Sequence, residues 1–261
     1  MKNILLNLDN WRARLAHEPL AVFLDYDGTL SAIALTPAEA KLPFATQEVL
    51  KALIRYKNVK VAIISGRELI DLRKMIPVKG LSYVGSHGIE FLARGLTSQR
   101  ISKRYLKELG ELGSRLQCEL GGSSGIFFEW KAFSLAVHYR KASPGSEKKA
   151  KQVVLDICHD AVHCGRISIL LGKKVIEIMP PTAMDKGQAV ERLLKIWGRK
   201  KYLPIFIGDD RTDESAFEVL RGCGLTVKVG GPDVRSGAEY YLNSVGDVRR
   251  LLRMILYFRS S

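Results

Sequence analysis

The stretch FLDYDGTL, Phe23 to Leu30, decides the reading of the fold. With Leu20-Ala21-Val22 before it, it is an apolar run of the kind found in buried parallel strands. The run ends in two aspartates one residue apart, followed by Gly28 and Thr29. Desolvation makes charge costly in such a place, so Asp25 and Asp27 require partners from elsewhere in the chain. Other apolar runs end comparably: NVKVAIISGR in Ser65-Gly66-Arg67 and YLPIFIGDD in Asp209-Asp210.

Working outward, strand and helix signals alternate. Helical spacing over Pro43–Arg55 and Leu69–Met75 separates the first strand from NVKVAIISGR and from LSYVGSHGIEF, read as a third strand with a glycine-bounded turn. This order predicts a doubly wound parallel sheet. The rhythm then changes. A charged helix near Ser102–Leu116, a GGSSG turn, an antiparallel pair in GIFFEWKAFSLAVHYRKA, a helix from Ser146 to about Val162, and a second pair turning at Leu171-Gly172-Lys173 form an α+β block closed by Pro180-Pro181. From Asp185 the first rhythm returns, through helix DKGQAVERLLKIWG, strand YLPIFIGDD, helix TDESAFEVLRGC, strand GLTVKVG and helix VGDVRRLLRMILYF. The expected organisation is a Rossmann-like α/β core, residues 1–98 and 179–261, with an inserted α+β cap, residues 99–178.

The N-terminal twenty residues are expected to form an amphipathic helix carrying Ile4, Leu5, Leu8, Trp11 and Leu15, because Asn7, Asp9, Arg12 and Arg14 interrupt any signal-peptide core. No stretch is long enough to span a bilayer. Four irregularly spaced cysteines among 261 residues suit reduced thiols and a cytoplasmic location. The net charge of +14 raises nucleic-acid binding, but the excess is spread along the chain: 13 Lys and Arg against 8 Asp and Glu between Ile101 and Ile178, and 28 against 19 elsewhere. No nucleic acid and no membrane is expected as a partner. A monomer acting on a small anionic substrate is the expectation. CHDAVHC, Cys158 to Cys164, resembles half a zinc site but lacks a second ligand pair, and is read as two thiols and two surface histidines.

In open α/β sheets the ligand site lies off the carboxyl ends of the strands. Three carboxylates there, Asp25, Asp27 and Asp209, repel one another unless a hard cation offsets them, and all-oxygen ligation favours Mg2+. Gly28 and the adjoining turn with Thr29, together with Ser65-Gly66 and Lys186 at a helix start, offer donors and positive charge to a phosphate. A metal, a phosphate pocket and a nucleophilic carboxylate together describe phosphoryl transfer through an aspartyl intermediate.

Asp25-Tyr26-Asp27-Gly28-Thr29 resembles the first motif of the haloacid-dehalogenase-like phosphatases; Ser65 matches their second, Lys186 their third and GDDRTDE their fourth. The resemblance narrows to trehalose-6-phosphate phosphatases through LDYDGTL with a TPAEA stretch, ISGR at 64–67, GSHGIE at 85–90, EWK, HYR and the E-x-x-P before DKG. It implies a C2-type cap and Mg2+-dependent hydrolysis of trehalose 6-phosphate to trehalose and phosphate. By that resemblance Asp25 is the nucleophile and Asp27 the acid and base, with Lys186 offsetting charge. The metal is held by Asp25, the Asp27 carbonyl and Asp209, with Asp210 and Asp213 in outer-sphere support. Gly28, Thr29, Ser65 and Gly66 bind phosphate. Glu129, Lys131, His138 and Glu177 contact sugar hydroxyls from the cap, and Arg67 and Glu90 from the core.

Each residue has a plainer reading. Asp25-x-Asp27 alone is a turn or cap signature, Lys186 alone a solvated helix-start lysine, GDDRTDE an acidic helix N-terminus, and Glu129 with Lys131 a cross-strand ion pair. The convergence of four motifs in order favours catalysis. Met179 in EIMP stands where the family often has arginine, which bears on sugar preference. Sucrose 6-phosphate, mannosyl-3-phosphoglycerate and a non-catalytic sugar-phosphate-binding role are the alternatives.

Overall fold

The computed structural model describes residues 1–34, 39–93, 96–99, 101–172 and 174–260. Thr36, Pro37 and Ala38 of the TPAEA stretch, and Lys173 of the second cap turn, lie outside the described residues. The chain divides into two units, Met1–Ser98 with Met184–Ser261, and Gln99–Ala183.

The first unit begins with β1 (Lys2–Asn3), α1 (Asp9–His17), β2 (Leu20–Leu24), α2 (Phe44–Leu53), β3 (Val59–Ile64), α3 (Leu69–Met75), β4 (Ser82–Gly85), β5 (Glu90–Ala93) and β6 (Leu96–Gln99), whose last residue belongs to the second unit. Within the second unit lie α4 (Lys103–Leu120), β7 (Phe127–Trp130), β8 (Leu135–His138), α5 (Pro144–His163), β9 (Ser168–Gly172) and β10 (Val175–Met179). The chain returns to the first unit through α6 (Lys186–Trp197), β11 (Leu203–Gly208), α7 (Glu214–Leu220), β12 (Leu225–Val229), β13 (Tyr240–Leu242) and α8 (Val245–Ser260).

The core sheet runs β1-β13-β12-β11-β2-β3-β4-β5-β6. Pairing is parallel from β1 to β4 and antiparallel between β4 and β5. All five residues of β2 are buried, as a strand covered on both faces requires. Their side chains alternate: Leu20, Val22 and Leu24 join one apolar layer with residues of α1, α2 and α8, and Ala21 and Phe23 join another with residues of α6 and α7. Phe23 stacks on Trp197 with centroids 5.5 Å apart. Among the described residues no helix is long and apolar enough to cross a membrane.

Two local expectations change. The N-terminal helix begins at Asp9, and Ile4–Leu6 is a single 3-10 turn. Asn3 accepts from the Leu5 amide at 3.0 Å and Asn7 donates to the Asn3 carbonyl at 2.7 Å, closing that turn before a helix can propagate. LSYVGSHGIEF is two antiparallel strands, β4 and β5, because the chain reverses at Ser86-His87-Gly88 through consecutive positive φ angles.

In the second unit an antiparallel sheet, ordered β7-β8-β10-β9, packs one face on α4 and α5. Ser102 caps α4 and Ser143 caps α5, each side chain accepting a first-turn amide. This unit extends to Ala183, past Ile178, because the Pro180 carbonyl accepts from Ser168 Oγ at 3.1 Å and from the Ala183 amide at 3.0 Å.

Helices α6 and α7 touch at Gly187, whose amide donates to Ser215 Oγ at 3.1 Å. A Cβ there would lie 2.5 Å from the Ser215 carbonyl oxygen. Gly187→Ala is therefore expected to destabilise the protein by about 1–3 kcal/mol, lowering the melting temperature by several degrees. Thermal unfolding checks this, and a wild-type melt would show that the helices part freely.

Candidate active site

Strands β3 and β4 lie to one side of β2, and β11, β12 and β13 to the other, so the sheet's direction of winding switches between β2 and β11. A crevice is expected off the carboxyl ends of those two strands. Leu24 pairs with Ile207, and the Asp25 amide donates to the Ile207 carbonyl at 3.0 Å, carrying the ladder one residue past the strand. Asp25 and Asp209 thus leave neighbouring strands side by side. Gly28 permits their approach: its φ is +81°, and a Cβ would sit 2.1 Å from Asp209 Oδ2. Thr29 Oγ1 donates to Asp209 Oδ1 at 3.4 Å.

Lys186 enters from the first position of α6, where Asp185 and Gln188 form a capping box. Its Nζ donates to Asp25 Oδ1 at 2.7 Å and to Asp213 Oδ1 at 2.6 Å. The other oxygen of Asp213 accepts from the Asp210 amide at 2.8 Å. Asp213 is wholly buried and Asp25 nearly so. Burial pushes the Asp25 carboxyl well above the usual range; Lys186 works against that, and Asp213 adds to it. Burial acts to lower the Lys186 ammonium, but Asp213 and Asp25 outweigh it and hold it charged. Asp209 is raised to about 6, by burial first and then by Asp213.

One oxygen from each of Asp25, Asp209 and Asp213 lies within 4.8 Å of the others. Three carboxylates against one ammonium leave an excess of negative charge, and an all-oxygen donor set of this kind fits a hard divalent cation. The cluster includes Asp213, which the resemblance assigns to outer-sphere support. It does not include Asp210, which is exposed and accepts from the Arg211 amide at 2.7 Å.

The remaining core residues fall into two groups. Ser65 is buried and its Oγ accepts from the Arg67 amide at 3.2 Å. Gly66 has the His87 ring against it, with Cε1 and Nε2 each 2.8 Å from where a Cβ would stand. Gly28 differs from expectation: its amide donates to the Ser31 carbonyl at 2.8 Å, so its N–H is engaged within the turn. Arg67 also differs. Its Nε and Nη2 donate to the two oxygens of Asp27, both at 2.6 Å, and its guanidinium lies 5.3 Å from the Tyr26 ring centroid. Glu90 Oε2 accepts from the Leu69 amide at 2.8 Å and from Ser86 Oγ at 2.7 Å, tying β5 to the start of α3.

In the second unit, the strand register places Glu129 and Glu177 on either side of Ala136. Lys131 and His138 are each two residues along from members of that row, so all four expected cap residues share one sheet face. They form two pairs, Glu129 Oε2 with His138 Nε2 and Lys131 Nζ with Glu177 Oε1, each at 2.8 Å. The hydrogen bond from His138 holds the Glu129 carboxyl below its ordinary range. Cys158 is core, its thiol raised to about 11 by burial, while Cys164 is exposed.

Sequence reasoning missed three polar residues here. Lys228 donates to the Asp209 carbonyl at 2.9 Å, and a lysine inside the apolar strand LTVKV was its signal. Ser134 donates to Glu177 Oε1 at 2.6 Å, with nothing in sequence to mark it. The third, His87, stood within GSHGIE.

Residues 23–244 match the Trehalose-phosphatase family. An uncharacterised glycosyl hydrolase of Mycobacterium tuberculosis is 37% identical over 85% of the chain, which spans only 17% of that protein's length. A probable trehalose-phosphate phosphatase C of Arabidopsis thaliana is 33% identical, over 92% of this chain and 78% of its own. The structure of Aspergillus fumigatus trehalose-6-phosphate phosphatase superposes with a TM-score of 0.73 at 25% identity, covering 97% of each chain. The family match extends over well more than half of the sequence and takes in the strand ends that carry Asp25, Ser65 and Asp209 and the helix start that carries Lys186: this chain belongs to the trehalose-phosphatase family.

Proposed function

We propose that this protein is a divalent-metal-dependent phosphatase that hydrolyses trehalose 6-phosphate to trehalose and phosphate through an aspartyl-phosphate intermediate. The observation that carries the reading is Asp25, buried at the end of β2, with Lys186 bonded to it at 2.7 Å and Asp209 and Asp213 beside it.

Asp25 attacks phosphorus with one carboxylate oxygen, and the sugar oxygen leaves. Its ionised form is required, and Lys186 favours that form against burial. Lys186 also offsets charge on the phosphoryl oxygens in the transition state. Ser65 Oγ, already an acceptor from the Arg67 amide, has its hydroxyl proton to donate to the phosphoryl group. Asp27, two residues on, gives its proton to the departing sugar oxygen and then takes one from the water that hydrolyses the intermediate. Asp25, Asp209 and Asp213 would hold a divalent cation, Mg2+ in this reading. When bound, it supplies charge neutralisation at the carboxylates and at the phosphoryl oxygens. Gly28 serves by its backbone and missing side chain, and Thr29 by steadying Asp209.

The polar face of the cap sheet supplies sugar contacts in this reading. Glu129, Lys131, His138 and Glu177 offer paired donors and acceptors, and hydroxyl recognition rejects analogues that leave such groups unmatched.

Phosphate release from a panel containing trehalose 6-phosphate, sucrose 6-phosphate and mannosyl-3-phosphoglycerate tests the substrate; trehalose 6-phosphate should rank first, and its absence among the good substrates would sink the assignment. Asp25→Asn should abolish turnover, a loss of at least about a thousandfold, while leaving the melting temperature near wild type; residual turnover near wild type would exclude the aspartyl route. The metal has a readout independent of activity. Asp209 binds its proton more tightly folded than unfolded, so without added cation the site's contribution to stability is greatest below the ordinary value of 3.8 and falls as pH rises to about 6. A cation competes with that proton, so millimolar Mg2+ should raise the melting temperature more at about pH 7 than at about pH 5. Asp209→Asn should remove most of the difference, and equal melts with and without cation at both pH values would argue against a metal here.

A further inference from the structure

We infer that His87 is a positioning residue that sets the phosphate-binding loop Ser65-Gly66-Arg67 against the approach to Lys186. The inference rests on the phosphatase reading above.

Ser86 and His87 have φ of +47° and +51°, and Gly88 follows at +79°. Consecutive left-handed residues that carry a Cβ are costly, and such conformations persist only where the surroundings over-determine them. Here they are over-determined. The Ser86 amide donates to the Arg67 carbonyl at 2.8 Å, Ser86 Oγ donates to Glu90 Oε2, and the same Glu90 oxygen takes the Leu69 amide. On its other side the His87 carbonyl accepts from the Met184 amide at 2.8 Å, two residues before Lys186. The turn thus bonds to both loops that carry phosphate-directed side chains. The half-buried imidazole lies against Gly66, in the space a side chain at 66 would need.

An ordinary turn with glycine at its left-handed positions would join β4 to β5 without this strain. What the left-handed turn achieves is to deliver a ring to Gly66 and a carbonyl to Met184 from one residue. Ser65 is thereby fixed on one side of His87 and Lys186 on the other. Glu90, expected from the resemblance to contact substrate, is what anchors the turn.

The test is a double-mutant cycle with His87→Asn and Gly66→Ala, read by calorimetric binding of inorganic phosphate in the presence of Mg2+ and by thermal unfolding. Asparagine tolerates left-handed backbone, so H87N should melt near wild type. Its phosphate affinity should fall at least about tenfold, within the roughly hundredfold that a misplacement on the order of 1 Å costs. KM for the hydrolysed sugar phosphate should rise with it. G66A alone should also weaken phosphate, since its methyl would displace the ring, and should do less harm in the H87N background. Additive effects, unchanged phosphate affinity, or a loss that follows a fall in melting temperature would overturn the inference. Because inorganic phosphate is the probe, failure of trehalose 6-phosphate as a substrate leaves this result readable and is recognised separately by the substrate panel.

Discussion

The site depends on one electrostatic constraint: three carboxylates and the Lys186 ammonium share a largely buried volume at the end of β2. Each arrives by a separate device. Asp25 continues the β2–β11 ladder, Asp209 follows β11, and Asp213 ends a short 3-10 turn, Arg211–Asp213, and accepts from the amide of its N-cap residue Asp210. Lys186 is fixed by the capping box that starts α6. Two glycines allow the convergence. A Cβ on Gly28 would collide with Asp209, and one on Gly208 would lie 2.3 Å from Asp213 Cγ. A sequence would not keep a net negative cluster among apolar strands for stability's sake, because packed apolar groups serve stability at least as well. The arrangement makes sense if the missing positive charge comes from a ligand.

Arg67 extends the same logic to Asp27. The Asp27 side chain is 41% exposed, against 13% for that of Arg67, so the guanidinium is the more fixed partner. Fork-to-fork bonding holds both carboxylate oxygens at once. To act as an acid, Asp27 must give up at least one of those bonds. In our reading, substrate arrival must therefore redistribute the pair.

Much of this was legible in the chain because it rests on local pattern. Unbroken apolar runs gave β2, β3 and β11, and two of the residues that follow them, Asp25 and Asp209, come together with Asp213. The Asp-Lys-Gly start of α6 was readable for the same reason, as a helix cap followed by a charge. What sequence could not supply were conditions set from a distance. The φ angles of Ser86 and His87 depend on Glu90 and on the Arg67 carbonyl, so GSHGIE reads as strand and turn until those contacts are known. Whether Arg67 faces a substrate or Asp27 is decided 40 residues away. The Gly28 amide looks like a phosphate donor in DYDGT, yet the turn closes on Ser31 and takes it. Local periodicity likewise extended α1 too far, since it carries no account of Asn3 and Asn7 closing their own turn.

The second unit divides its two sheet faces by the same alternation that made its strands predictable. Leu135, Val137, Ile176 and Ile178 face α4 and α5, and Glu129, His138 and Glu177 face the other way. On that polar face Lys131 is paired with Glu177 and His138 with Glu129, with buried Glu177 also taking the Ser134 hydroxyl. Pairs of this sort can lend a donor or an acceptor to a hydroxyl without stranding a bare ion. Met179 belongs to the same face, two residues beyond Glu177 on β10, and is buried. A thioether there adds apolar surface where the family resemblance leads one to expect a guanidinium. The change leaves the charge balance of the four paired residues intact and removes a set of N–H donors. If the cap chooses the sugar, this chain's choice turns on fewer hydrogen bonds and more shape at that edge of the sheet.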